Sequence, residues 1–238
     1  MNNWLNENQN QIDYYISSKD TILIDRRRHL LTMLELFNSY FQDKSGLTFL
    51  DIGCGDGPLT KVMFDLYPDN TFHLLDGSET MIDKARRNIP SDKAAFFTDS
   101  FESFFNKNTD ENYYDFIFSS MAIHHVEHHK KKELYSKIHT ILKHSGLFIN
   151  IDVVLPASSK TESIQFKMWR DYINDSLKTY GRDNEIGAHD GLPDSYKNKS
   201  ENKPSTLASQ MDMLTDIGFK DVECYHKYGI FVLFGCIK

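Results

Sequence analysis

The sequence predicts an α/β protein with a doubly wound, mostly parallel seven-stranded sheet that closes with an antiparallel C-terminal hairpin. Three observations carry this. Between residues 47 and 155, short apolar runs alternate with segments of helical period, the order that successive parallel βαβ units produce. The first run, Thr48-Phe49-Leu50-Asp51-Ile52, enters the turn Gly53-Cys54-Gly55-Asp56-Gly57, and a helical pattern follows from Pro58. At the far end, two strand-like runs, 222–228 and 230–237, meet around Gly229.

Each element has its own signal. In 20–42, Leu30, Met33, Leu34, Phe37, Tyr40 and Phe41 recur at steps of three and four, which gathers them on one helix face. Gly46 ends that segment and 47–52 is the first strand. A helix over 59–67 turns Val62, Met63 and Leu66 to the sheet and stops before Pro68. The second strand, 71–75, ends in Asp76-Gly77. Ser78 then reads as an N-cap, with Glu79 and Asp83 near the positive end of a helix over 79–89. Residues 94–98 form a third strand finishing at Asp99. Residues 114–119 form a fourth, and its Phe116-Ile117-Phe118 is apolar on both faces, as a central parallel strand requires. A helix over 129–142 leads through Gly146 into a fifth strand, 147–154. Residues 162–180 are helical, with Phe166, Trp169, Tyr172 and Ile173 on one side; 181–204 reads as a polar loop; and 206–217 is a helix ending at Gly218. The organisation expected is an N-terminal helical segment or cover at 1–45 and one domain at 46–238, with a helical and loop insertion at about 158–204.

Bulk properties set bounds. A chain of 238 residues with 40% hydrophobic and 13% aromatic residues has enough apolar mass for a sizeable core. No apolar run approaches the ~18 residues of a membrane span. The N-terminus has no basic region followed by an apolar one, so no secretory signal is expected. Cys54, Cys224 and Cys236 are spaced for neither zinc nor a disulfide framework. Together these point to the cytoplasm. A formal net charge of −7 argues against a surface that grips a phosphate backbone. Arg26-Arg27-Arg28 and Lys130-Lys131-Lys132 are the basic clusters, and both read as solvated helix faces.

The glycine turn carries the chemistry. Strand, glycine turn and helix in that order build a nucleotide pocket at the carboxyl end of a strand. A dinucleotide fingerprint would need its third glycine at position 58, which is Pro58. Here it comes one residue early, with Asp51 ahead of the turn. This D-x-G-x-G-x-G pattern resembles the first motif of the class I S-adenosylmethionine-dependent methyltransferases, and the resemblance extends over about 47–155 and the terminal hairpin. It implies a Rossmann-like methyltransferase fold and S-adenosylmethionine as cofactor. It also implies a turn lying against the methionine part and ribose, with Gly53, Cys54 and Gly55 at the cofactor and Asp51 holding the methionine ammonium. The segment 207–238 is similar to that of several stand-alone bacterial enzymes of the family.

Further site residues follow from the strand ends. Asp51, Asp76 and Asp99 fall at or near the carboxyl ends of three successive strands, and those ends line one crevice in an open sheet. Asp76, followed by Gly77, suits a bidentate hold on two ribose hydroxyls. Asp99-Ser100-Phe101 resembles the adenine-binding segment of the family, and Met81 is placed to pack on the adenine. An aspartate at a strand end also serves as a turn or helix cap, and a methionine at helical spacing also serves the core. The run Ser119-Ser120-Met121-Ala122-Ile123-His124-His125 resembles the segment passing beneath the sulfonium. That implies Ser119 and Met121 beside the cofactor and His124 or His125 as the acceptor's base. Histidine suits that task because its pKa lies near neutrality, though either ring also serves as a buried packing residue. Trp4, Tyr14 and Tyr15, and Trp169, Arg170 and Tyr172, are candidates to line the acceptor side. No metal site is expected.

The expected activity is methyl transfer to O, N or S of a small molecule. Absence of a D/N-P-P-Y/F/W tetrapeptide argues against methylation of DNA amino groups, and absence of a Pro-Cys pair argues against cytosine C5 chemistry. The alternatives are a tRNA-modifying enzyme of the methyl or carboxymethyl pathway, and a non-catalytic cofactor-binding module. The tRNA-wobble-uridine relatives that make carboxy-S-adenosylmethionine share the layout, but this chain departs from them in its three-glycine motif and its His124-His125 pair. Partners expected are a small-molecule acceptor and no membrane, with nucleic acid disfavoured and a homodimer left open.

Overall fold

The structure is a computed structural model and describes residues 23–90, 92–107 and 110–238. Helix α1 (Arg26–Tyr40) precedes β1 (Thr48–Ile52), α2 (Pro58–Leu66), β2 (Thr71–Asp76), α3 (Glu79–Asn88), β3 (Ala94–Thr98), α4 (Phe101–Lys107) and β4 (Tyr114–Ser120). After a 3₁₀ turn (Ile123–His125) come α5 (His128–Ile141), β5 (Leu142–Val153), α6 (Ser159–Thr179), a second 3₁₀ turn (Asp183–Glu185), α7 (Leu192–Asn198), α8 (Leu207–Ile217), β6 (Lys220–Tyr228) and β7 (Phe231–Ile237).

The seven strands form one sheet in the order β3-β2-β1-β4-β5-β7-β6. Strands β1 to β5 pair in parallel, and β7 runs antiparallel to both β5 and β6. Strand β1 lies between β2 and β4, so the chain order reverses there. A crevice opens at the carboxyl ends of strands flanking such a reversal. The alternation of side chains decides the two layers. Phe49, Phe72, Phe116 and Phe118 face one side and pack with α1, α2 and α3. Leu50, Ile117 and Phe148 face the other and pack with α4, α5 and α8. A third cluster joins Phe166, Trp169 and Ile173 of α6 to Val153 and Phe231.

Helix α1 is built into the first layer: Leu30, Met33, Leu34 and Phe37 are fully buried, and the Phe37 ring lies within 5.4 Å of those of Phe49 and Phe116. The expected Ser78 cap and Gly218 stop form, and Ser158 and Thr206 prove to be further caps. Ser78 accepts from the Met81 amide, Ser158 from Thr161 and Thr206 from Ser209, while Gly218 at φ 110 ends α8.

Three expectations need correction. The polar stretch 181–204 holds a 3₁₀ turn and helix α7, since Pro193 sits in its first turn and is buried. The fifth strand starts at Leu142, which pairs with Tyr114 ahead of a register shift that absorbs Gly146. The helix read over 20–42 runs from Arg26 to Tyr40, after Asp25 in a left-handed conformation, with residues 20–22 outside the described residues. No helix among the described residues is long and apolar enough to cross a membrane.

Candidate functional site

A cavity of about 420 Å³ opens at the carboxyl ends of β1, β2 and β4. The glycine turn forms its floor. The amides of Gly53 and Cys54 donate to the Leu75 carbonyl at 2.7 and 3.0 Å, and the Gly55 amide donates to Asp76 Oδ2 at 2.9 Å. The turn is therefore stitched to the end of β2. Two of its glycines are required for different reasons. At Gly53 (φ 72) a Cβ would lie 2.2 Å from that of Ala122, so the close approach of the turn to the segment after β4 admits no side chain. At Gly55 (φ 56) a Cβ would meet nothing within 4 Å, and the backbone stands bare at the cavity.

Two of the three strand-end acids line this space. Asp51 is 2% exposed, and its Oδ2 accepts from the Thr60 hydroxyl at 2.6 Å. Burial pushes its carboxyl up to about 7; the Thr60 hydrogen bond opposes that rise and the nearby Asp76 charge adds to it. Asp76 has Oδ1 on the Ser78 amide at 2.8 Å and Oδ2 on Gly55, so its carboxylate is fixed in place by backbone donors. Gly77, Met81, Phe101, Asp56 and Cys54 also line the cavity. Burial drives the Cys54 thiol far above its ordinary pKa, with Asp51 and Asp76 adding to the rise, so this sulfur stays protonated and is a poor nucleophile.

Asp99 does not line the cavity. Its carboxylate takes Lys107 Nζ at 2.8 and 3.1 Å and the Ser103 hydroxyl at 2.8 Å, and these bonds hold it below the usual carboxylate range. Ser100 serves as a cap, its hydroxyl accepting from the Ser103 amide at 3.1 Å. Ser119 is also turned away: it is fully buried and donates to the Ile52 carbonyl at 2.8 Å. Adjacent strand residues face opposite sides, so Ser120 reaches the cavity in its stead. Met121 follows with φ 56, a strained value for a side chain of its size, and its amide is pinned to the Ile151 carbonyl at 2.8 Å.

The two histidines separate. His124 is 5% exposed, with Nδ1 2.5 Å from Asp152 Oδ1 and its amide 2.8 Å from Asp152 Oδ2. His125 lines the cavity, and its Nδ1 lies 3.1 Å from the Glu201 carbonyl. A carbonyl only accepts, so this bond requires the proton on Nδ1 and leaves Nε2 as the basic nitrogen.

The remaining candidates lie elsewhere. Trp169 packs against Phe231 and Tyr196 in the third cluster, with ring centroids 5.1 and 5.9 Å away. Arg170 pairs with Asp194 at 3.8 Å. The Tyr172 hydroxyl accepts from the Asp25 amide at 3.1 Å. Trp4, Tyr14 and Tyr15 lie outside the described residues. Among the described residues no group of three or more His, Cys, Asp or Glu is arranged for a metal.

Arg26 is the main residue that sequence reading misplaced. Instead of sharing a solvated face with exposed Arg27 and Arg28, it is 8% exposed and lines the cavity with Leu23. The signal was available: Arg26, Leu30, Met33 and Phe37 follow steps of four, three and four, so Arg26 sits on the apolar stripe. Asp56, Ser120 and Asp152 were likewise not singled out.

A family profile described as a methyltransferase domain matches residues 49–146, which contain the glycine turn, both cavity acids and the histidine pair. A solved S-adenosylmethionine-dependent methyltransferase from Mesorhizobium loti superposes with a TM-score of 0.57 at 16% identity, over 86% of this chain and 96% of that one. Residues 49–146 thus match a methyltransferase domain, and the chain has the fold of the solved class I S-adenosylmethionine-dependent methyltransferases. Among its curated relatives, malonyl-[acyl-carrier protein] O-methyltransferase 1 of Ilyobacter polytropus is 24% identical over 121 residues, 50% of this chain and 42% of that protein. This chain thus spans less than half the length of that relative. The carboxy-S-adenosyl-L-methionine synthase of Staphylococcus epidermidis is 22% identical over 201 residues, 84% of this chain and 82% of that protein.

The residues of the cavity fit S-adenosylmethionine, the cofactor that the sequence resemblance implies. Asp51, Asp56 and Asp76 outnumber Arg26 and His125, a balance that favours a ligand carrying ammonium and sulfonium charges over a pyrophosphate. The bare backbone at Gly55 leaves room for close contact.

Proposed function

We propose that this chain is an S-adenosylmethionine-dependent methyltransferase acting on O, N or S of a small molecule. The observation that carries this reading is the single cavity uniting the Gly53–Gly55 turn, Asp51, Asp76 and His125. When bound, the cofactor supplies an electrophilic methyl group on sulfur. The glycine turn and Asp76 bind its sugar end and Asp51 its ammonium, while Met81 and Phe101 flank the base. Nε2 of His125 takes the acceptor's proton, and His124, held by Asp152, fixes the turn that carries it. Binding both partners in one water-poor cleft supplies the alignment that an in-line displacement needs.

The test is calorimetric titration with S-adenosylmethionine and NAD, followed by labelled-methyl transfer into a metabolite extract. Binding of the first ligand alone and a labelled small product are expected; label appearing only in RNA or protein would overturn the acceptor class. His125→Ala should lower turnover by about 10²- to 10⁴-fold, the usual contribution of a general base, with cofactor affinity retained. Asp152→Ala should cost turnover together with thermal stability, because it leaves the buried His124 without its partner.

A second reading, synthesis of carboxy-S-adenosylmethionine, is favoured by the synthase match along 84% of the chain and by a buried arginine at the cavity, able to pair with an added carboxylate. Mass spectrometry of the cofactor after turnover separates the two.

A further inference from the structure

Lys131 stands on the buried stripe of α5 with Leu134, Tyr135 and Ile138, and its side chain is fully buried. An ammonium has three protons to donate. Here each finds a backbone carbonyl: Ile123 at 2.9 Å, Lys203 at 3.0 Å, and Val126. Two of these carbonyls belong to the turn after β4 and the third to the arm that returns from α7, 72 residues away from Lys131 in sequence. The same two segments touch again without Lys131. The Lys203 amide donates to the His124 carbonyl at 2.7 Å, and His125 Nδ1 meets the Glu201 carbonyl at 3.1 Å. Ser205 closes the join, its hydroxyl 2.8 Å from His128 Nδ1 and its carbonyl accepting from the Leu155 amide at 2.9 Å.

A buried ammonium costs several kcal/mol to dehydrate unless it is fully hydrogen-bonded. A helix that needed only packing would carry a leucine at this place. Burial holds the Lys131 ammonium down to about 8, with Asp152 and Glu127 pulling the other way. The cation remains because carbonyls from two separate segments converge on it.

We infer that Lys131 is a positioning residue: its ammonium latches the returning arm 199–205 onto the turn 123–126, and thereby sets the imidazole of His125 in one tautomer facing the cofactor cavity. The returning arm is thus held beside the turn by this buried charge, with the more exposed Lys203–Glu127 pair at 3.4 Å as a second ionic contact. The inference rests on the reading of His125 as the acceptor's base.

The experiment compares Lys131→Met, which keeps the stem and removes the charge, with Lys131→Arg, which restores donors. Amide hydrogen exchange at Lys203 should accelerate at least about tenfold in the Met variant, since hydrogen bonds to a charged group are each worth more than a neutral one, and should stay near wild type in the Arg variant. The NMR signature of a single His125 tautomer should be lost in the first and kept in the second. Affinity for S-adenosylhomocysteine should stay within about threefold of wild type in both, a change below 1 kcal/mol. Unchanged Lys203 exchange in Lys131→Met, or a loss of S-adenosylhomocysteine affinity that parallels the exchange, overturns the latch. Should Lys131→Met fail to fold, Lys131→Gln removes the charge and leaves two of the three donors. An unaltered His125 signature in that variant overturns it equally. Failure of wild-type protein to bind S-adenosylhomocysteine counts against the methyltransferase reading, whereas the exchange rates score the latch by itself.

Discussion

Asp51→Asn is expected to weaken cofactor binding by about 10- to 100-fold, the worth of one charge-assisted hydrogen bond, and at the same time to raise the melting temperature at pH 8. The two effects share one cause. Burial raises the Asp51 carboxyl from 3.8 to about 7, so the folded protein keeps a proton that the unfolded chain has already released. Stability contributed by that proton is complete below pH 3.8 and is lost as pH rises to about 7. Asparagine does not titrate and still accepts from Thr60, so the variant escapes the loss. Its advantage should vanish near pH 4 and reach several degrees at pH 8, at about 2–4 °C per kcal/mol for a chain of this size. Binding has the opposite sign. A cationic ligand selects the ionised carboxylate, so wild-type affinity should climb about tenfold between pH 6 and pH 8, in step with the ionised fraction. The variant should show a flat profile over the same range. Scanning calorimetry and titration at three pH values measure both, and a variant that is less stable at pH 8 would refute the account.

Gly53→Ala and Gly55→Ala should fail in different ways, although only Cys54 separates them. At Gly53 the new methyl would stand 2.2 Å from Ala122 Cβ on a backbone of φ 72. Left-handed strain of roughly 1–2 kcal/mol adds to overpacking of about 1–3 kcal/mol. Chemical denaturation should therefore register a loss of about 2–5 kcal/mol, a large part of a small domain's stability. At Gly55 the methyl meets no neighbour, and only the strain at φ 56 applies. That variant should fold with a loss of about 1–2 kcal/mol, and its affinity for S-adenosylhomocysteine should fall further than its stability does. Equal stability losses at the two positions would contradict the assignment of one glycine to packing and the other to the ligand.

Much of the architecture was legible because it depends on local rules. Phe116-Ile117-Phe118 could only be a strand buried on both sides, and Ser78 and Gly218 announced helix ends by their chemistry. Legibility failed where a side chain's direction depends on register or on a distant partner. Ser119 and Ser120 are the same residue type, and only the pairing of Ser119 with Ile52 decides which faces the cavity. Asp99 sits at the expected strand end, but Lys107 one helix later takes its carboxylate. The two basic triplets misled in the same manner. Charge suggested solvent, whereas helical phase put Arg26 and Lys131 on the buried stripes. Helix α7 was hidden by polar composition, since its apolar residues are few and Trp169, the partner of Tyr196, lies on another helix.

The double engagement of Asp76 bears on any attempt to retune the proposed nucleoside selectivity. One oxygen of that carboxylate braces the glycine bend and the other braces the start of α3, so the group proposed to recognise the ribose is also part of the scaffold. Exchanging it for a residue with different sugar preferences would slacken the loop it was meant to reprogram. Altered selectivity is better sought at Met81, whose side chain borders the same space and is 37% exposed.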